Sequence, residues 1–335
     1  MPFLNESPYK APVWLPGCHA QTVFPSLFRR LPDIAMKRHR FTTPDQDILN
    51  LDFYLPGESR SDTVAILSHG LEGDSRRAYM MGMALALAGL GWDCICRNFR
   101  CCGGEINQGP LMYHSGDTND LHSVVEFAIR QGYGRVVLVG FSMGGNQVLK
   151  YLGEFPHRVP KEVRAAAVFS VPCDLTGAAR ELDRPKNRIY MRYFMKSLRE
   201  KVRLKHRRYP EYYPLAGLER ITTFAEFDNR YTAPVHGFAS AKDYWRRASS
   251  LPFLGKIRIP TLMVNARNDS FLSGACFPVK LADQSANFHL ETPAGGGHVG
   301  FTSPCGEKIY WSESRAAAFL SQHVAAVGEN APDPF

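Results

Sequence analysis

Six short segments of this chain are apolar almost throughout: 63–68 (TVAILS), 94–99, 135–140 (RVVLVG), 165–171 (AAAVFSV), 260–266 (PTLMVNA) and 287–291. A strand covered on one face alternates apolar and polar residues, whereas a strand covered on both faces does not. Helical patterns at 79–90, 118–130, 144–152 and 312–327 fall between or after these segments. Fully apolar strands alternating with helices predict an α/β fold with a mostly parallel central sheet flanked by helices. Ahead of them, 41–43 and 48–54 flank a turn at 44–47 and predict an antiparallel hairpin. The alternation breaks once. From about 174 to 251 there is no strong strand signal and helix-like segments are frequent, which predicts a helical lid inserted within one domain spanning 1–335.

Composition excludes other classes. Hydrophobic residues at 44% and charged residues at 21% exclude a disordered chain or a coiled coil. The uncharged run 78–92 is shorter than the roughly 20 residues of a membrane span and predicts a buried helix. The N-terminal residues show no basic start followed by an apolar stretch, so no secretory leader is expected. None of the eight cysteines forms a C-x-x-C pair, which argues against a zinc ribbon or redox motif. Free, mostly buried thiols and a cytoplasmic protein are the expectation. The Pro-rich tail at 330–335 is expected to fray.

The chemistry concentrates at three places. Gly140-Phe141-Ser142-Met143-Gly144 fits G-x-S-x-G and sits where RVVLVG ends and a helical pattern begins. A strand, a one-residue elbow and a helix expose a serine hydroxyl above a sheet, with the helix N-terminus behind it to stabilise negative charge. Serine is a weak nucleophile and needs a base. Of eleven histidines, His298 lies on a glycine-rich loop past the last strand and before the last long helix. His289 falls inside a strand and His206 in a basic helix, both poorly placed. The orienting acid is expected on a loop past a strand and before the histidine, which selects Asp269; Asp283, ahead of the last strand, is the weaker candidate. An oxyanion needs two backbone donors. Met143, after the serine, and Leu71, in the loop Ser68-His69-Gly70-Leu71-Glu72-Gly73, are the candidates. His69 is read as a hydrogen-bonding support and His236 as structural. No metal or organic cofactor is called for.

These motifs together resemble the α/β-hydrolase superfamily, and within it the YheT-like serine-esterase branch. The similar stretches are Cys18-His19-Ala20-Gln21-Thr22, His69–Gly73, Phe99–Asn107, Tyr113–Thr118, Gly140–Asn146, Thr232–Phe238 and Gly296–Phe301. Two departures stand out: Cys101 where a glycine is usual, and Asn268-Asp269-Ser270 in place of an Asp-Asp-Pro-like triplet, which leaves Asp269 as the only acid of that loop. The resemblance implies a hydrolase of acyl esters and names no particular substrate. An acyltransferase using the same residues and a non-catalytic binder on the same fold are the alternatives.

The formal charge of +8 is not evenly spread. Residues 180–208 hold twelve basic and three acidic residues, a net +9 that leaves −1 for the other 306. Within them Met191, Phe194, Met195, Leu198 and Val202 recur at helical spacing, an apolar stripe on a basic helix. A solvated lid face packed on the core is the first expectation. A face drawn to an anionic membrane through Lys201, Arg203 and Lys205 is the second. No recognition motif supports a nucleic-acid partner. From 189 to 245 there are 12 aromatics in 57 residues, which favours a lid lining an apolar acyl pocket or forming its own core. A small-molecule ester is the expected partner, and the sequence is silent on oligomeric state.

Overall fold

The structure is a computed structural model that describes residues 3–4, 7–32, 34–57, 59–303 and 309–324. In chain order the elements are β1 (Phe3–Leu4), α1 (Gly17–Phe28), β2 (Lys37–Thr42), β3 (Ile48–Tyr54), β4 (Thr63–Ser68), α2 (Ala78–Ala88), β5 (Asp93–Arg97), α3 (Asn119–Arg130), β6 (Arg135–Phe141), α4 (Met143–Glu154) and β7 (Val163–Phe169). A helical stretch follows, then β8 (Thr261–Val264), β9 (Phe288–Glu291) and the helix Trp311–Val324. The sheet runs β1-β9-β8-β7-β6-β4-β5-β3-β2. Among the described residues only β2–β3 and β3–β5 pair antiparallel.

The unbroken apolar runs have a simple cause. On β4, Val64 and Ile66 enter the core shared with α3 and α4, while Ala65 and Leu67 enter the core shared with α2 and the last helix. On β6, Val136 and Leu138 face the first core and Val137, Val139 and Phe141 the second. Each strand therefore buries both faces and has no use for polar residues. β2 begins four residues earlier than the hairpin signal suggested. Its Lys37-Arg38-His39-Arg40 is exposed along an edge strand, where charge blunts further pairing and leaves no apolar signature.

Between β7 and β8 the chain forms α5 (Leu175–Leu182), α6 (Arg188–His206) and a series of shorter helical turns up to Leu251–Lys256, with no strand among the described residues. This insertion has a core of its own, in which Met191, Met195, Leu198 and Val202 of α6 pack with Tyr213, Leu218 and Phe227. The apolar stripe is thus covered. The expected basic face is corrected in part. Lys205 is buried and donates to the carbonyls of Asn107 and Gly109. Lys201 is nearly buried and pairs with Glu72, and only Arg203 of the three is exposed. A lysine at the edge of an apolar stripe buries its stem and finds internal acceptors, which helical spacing alone does not reveal.

Of the cysteines, Cys94, Cys96, Cys101, Cys102, Cys173 and Cys276 are buried and free, and Cys18 is half-buried. Cys305, the tail at 330–335 and the expected helix beyond 324 lie outside the described residues. No helix among the described residues is long and apolar enough to cross a membrane.

Candidate active site

Ser142 sits between the last residue of β6, in mid-sheet, and the first residue of α4. Its φ of 51° and ψ of −118° belong to a conformation that non-glycine residues rarely adopt. The glycines around it are required by close approach. A Cβ on Gly140 would lie 2.6 Å from Gly145 Cα, and one on Gly144 would lie 2.4 Å from the Ser68 carbonyl. The elbow is pinned by the Ser142 amide, which donates to the Phe169 carbonyl on β7 at 2.8 Å.

His298 approaches from the loop past β9. Its Nε2 is 2.9 Å from Ser142 Oγ, and its Nδ1 is 2.8 Å from Asp269 Oδ2. Asp269, past β8, is buried with its side chain 0% exposed, and its second oxygen accepts the Phe271 amide at 2.9 Å. The Phe271 ring stacks on the imidazole, centroids 4.2 Å apart. Three loops therefore bring Ser142, His298 and Asp269 into one hydrogen-bonded line. Asp283 lies exposed on the helix Val279–Gln284 and takes no part in it. His289 packs on Phe319, and His206 Nδ1 lies 2.9 Å from the Tyr213 carbonyl.

The loop after β4 lies directly over the serine, since a Cβ on Gly70 would be 3.3 Å from Ser142 Cβ. Leu71 and Met143 both line the cavity beside Ser142. His69 is fully buried, and burial pushes it down to about 3, so it is neutral. Its Nδ1 lies 2.7 Å from the Gly70 carbonyl, and Nε2 accepts the Phe99 amide at 3.1 Å. The ring thus ties this loop to the segment that follows β5, in keeping with a supporting role.

Several residues of the site carried no chemical signal in the sequence. Gln21 Oε1 accepts from the Gly296 amide at 2.8 Å and from Asn268 Nδ2 at 2.9 Å, and Asn268 Oδ1 accepts from the Gly297 amide at 3.0 Å. Thr22 Oγ1 accepts the His298 amide at 2.9 Å. α1 therefore fixes the histidine loop to the aspartate loop, and the Cys18–Thr22 motif was the one available hint. Glu72, with a φ of 55°, is the other. Its carboxylate accepts from Tyr113 and Ser197 hydroxyls and from Lys201 Nζ, the last at 2.8 Å, which joins α6 to the loop over the serine.

The cavity at Ser142 encloses about 980 Å³, its open mouth included. Its wall is mostly apolar and draws Phe194, Phe224, Phe227, Tyr231 and Trp245 from the insertion. In its wall His114 and His236 meet with centroids 4.5 Å apart, both held neutral by burial, which pushes them to about 4 and about 3. Asp228 is buried in the same wall, and burial raises it to about 6, with Trp245 Nε1 and Thr232 Oγ1 donating to it at 2.8 and 2.6 Å. A second groove reaches Ser142 and His298 from the side of α1. No group of residues able to hold a metal ion occurs among the described residues.

A mostly parallel sheet with a serine elbow at its centre, and a histidine and an acid on later strand-end loops, is the architecture of the α/β hydrolases. Comparison with known proteins agrees. The α/β-hydrolase fold family matches residues 64–301. YheT of Escherichia coli, whose name marks it as a presumed esterase, is 32% identical over 317 residues, 92% of each chain. Phospholipase ABHD3 of Mus musculus is 30% identical over 309 residues, 90% of this chain and 74% of the relative. Among solved structures, an esterase of Pyrococcus furiosus superposes with a TM-score of 0.59 at 19% identity, covering 87% of this chain and 92% of its own. The chain belongs to the α/β-hydrolase family, in the branch that holds YheT.

Proposed function

We propose that this carboxylic-ester hydrolase works through an acyl-enzyme on Ser142, with His298 as base and Asp269 as the orienting acid. The observation that carries the reading is the bridging imidazole, within 2.9 Å of the serine hydroxyl on one side and of the carboxylate on the other. With Nδ1–H donating to Asp269, Nε2 is free to accept the Ser142 proton as Oγ attacks the ester carbonyl. The tetrahedral oxyanion is received by the backbone N–H groups of Leu71 and Met143, the second reinforced by the N-terminus of α4. Asp269 stabilises the imidazolium, which then protonates the leaving alcohol. Water, deprotonated by His298, releases the acid.

The apolar cavity suits the acyl chain, and the second groove suits the alcohol. The insertion acts as a cap that supplies much of the cavity wall. Acyl esters of lipid type fit such a wall, in line with the phospholipase named among the relatives.

The test is active-site labelling combined with turnover. A fluorophosphonate probe should label the wild type once, and p-nitrophenyl esters should be hydrolysed. Ser142→Ala should lose both. Equal labelling of Ser142→Ala, or undiminished turnover, would overturn the reading.

A further inference from the structure

Helix α1 is a surface helix without a single charged residue, reading GCHAQTVFPSLF. Its inner face buries Gln21 and Pro25 against the histidine and aspartate loops. Its exposed residues are Gly17, His19, Ser26, Leu27 and Phe28, so the outer face is apolar at its C-terminal end. Leu27 and Phe28 are 69% and 64% exposed, and the turn leading into the helix presents Val13 at 97% together with half-exposed Trp14. Trp14 packs edge-on against Phe24 with centroids 4.8 Å apart, and Phe24 lies 5.2 Å from Phe28, so the rings form one strip. α6 begins beside it, with His19 Nδ1 3.0 Å from the Tyr190 hydroxyl. It adds Ile189, 70% exposed, and half-exposed Tyr193. A surface helix ordinarily turns polar residues outward, and contiguous exposed apolar groups on a soluble chain mark an interaction site.

The charges nearby have one prevailing sign. Arg30, two residues past α1, and Arg188, Arg192 and Lys196 of α6 are exposed. The second groove, which reaches Ser142 and His298, runs between those elements, with Val23, Leu27, Tyr190 and Tyr193 in its walls.

We propose that this rim is a docking surface for an anionic lipid bilayer. Val13, Trp14, Leu27, Phe28, Ile189 and Tyr193 enter the headgroup layer, and Arg30, Arg188, Arg192 and Lys196 face acidic headgroups. An apolar strip with aromatic members, bordered by cations, is the pattern of an interfacial element. Two features favour a bilayer over a second copy of the chain. A two-fold dimer on this patch would set its arginines against themselves. The strip also flanks the groove that an ester carried in a membrane would have to enter. This docking surface goes beyond the proposed catalytic mechanism and does not depend on it.

The test is flotation with vesicles of phosphatidylcholine alone and of phosphatidylcholine with phosphatidylglycerol. Wild type and Ser142→Ala should both float with the anionic vesicles, less so as salt is raised, and only weakly with the neutral ones. The Val13→Asp, Phe28→Asp pair should reduce partitioning by roughly ten-fold or more. The Arg188→Glu, Arg192→Glu pair should abolish the preference for phosphatidylglycerol. Turnover of a soluble short-chain ester and far-UV circular dichroism should stay unchanged in both pairs. If the first pair does not fold, Trp14 emission in the intact chain, identified by difference from Trp14→Phe, should shift to the blue on adding anionic vesicles. Failure of the wild type to float with anionic vesicles would overturn the proposal, as would flotation unaffected by both pairs. A solution dimer that Phe28→Asp dissociates would assign the strip to a second copy instead. Because Ser142→Ala should float like the wild type, a failed labelling experiment leaves this outcome unaffected.

Discussion

At the scale of single residues, the site depends on a few atoms whose partners leave little freedom. Asp269 uses one oxygen for His298 and the other for its own loop, so the imidazole is held by a carboxylate that cannot swing away. Replacing it with Asn preserves the shape but offers an N–H or a weaker acceptor to Nδ1, which favours the wrong tautomer. Asp269→Asn is expected to lower kcat by about 10⁴-fold with little change in KM for a soluble ester, measured at neutral pH. A loss of less than ten-fold would show that another group orients His298. Ser142, His298 and Asp269 were legible in the sequence because each sits where a strand signal ends, and strand ends are readable from local apolar runs. Gln21, Thr22 and Asn268 were not legible as site residues. Their roles arise from side-chain hydrogen bonds to backbone amides up to 276 positions away, which leave no local pattern.

At the scale of elements, α6 does more than close off the core. Through Lys201 it reaches the carboxylate of Glu72, one residue past Leu71 in the loop that covers Ser142. We propose that this ion pair acts by positioning the loop. Lys201→Met leaves a buried carboxylate without its cation and is expected to lower kcat roughly ten- to hundred-fold at nearly constant KM, as the Leu71 donor drifts. Lys201→Arg should restore much of the loss, and a Lys201→Met enzyme with wild-type kcat would show that the pair serves stability alone. Another part of the cavity wall separates it from a neighbouring cleft. Met112, His114 and His236 line both the cavity and a polar cleft that contains Arg100 and Asp120. His236→Ala should open that wall and shift preference along a p-nitrophenyl ester series toward longer acyl chains. An unchanged chain-length profile would place the end of the acyl site elsewhere. The helical character of the insertion was legible from its missing strand signal. Its contacts were not, because the lysines that read as a solvated stripe find internal acceptors on distant loops.

At the scale of the whole molecule, buried ionisable groups link stability to pH. Asp228 is raised to about 6 from the ordinary 3.8 by burial. Between those values the folded chain keeps a proton that the unfolded chain releases. Stability is therefore expected to fall as pH rises through this window, by about 3 kcal/mol at most. The Tm of wild type minus that of Asp228→Asn should accordingly decrease from pH 4 to pH 7; a flat difference would mean that Asp228 is charged throughout. The same scale explains the charge of +8. Its excess lies in the insertion, but tertiary contacts divide it. Lys201 and Lys205 turn inward, while Arg188, Arg192 and Lys196 remain at the surface beside exposed apolar rings. By itself the sequence determined the parallel sheet, the elbow serine and the order of Ser142, Asp269 and His298 along the chain, each past a strand end. Those features follow from burial on both strand faces and from backbone geometry, which are local. Only the tertiary structure decided which lysines are buried, which helix holds the histidine loop and which apolar residues stay exposed. Each of those outcomes depends on what another part of the chain presents at the same point in space.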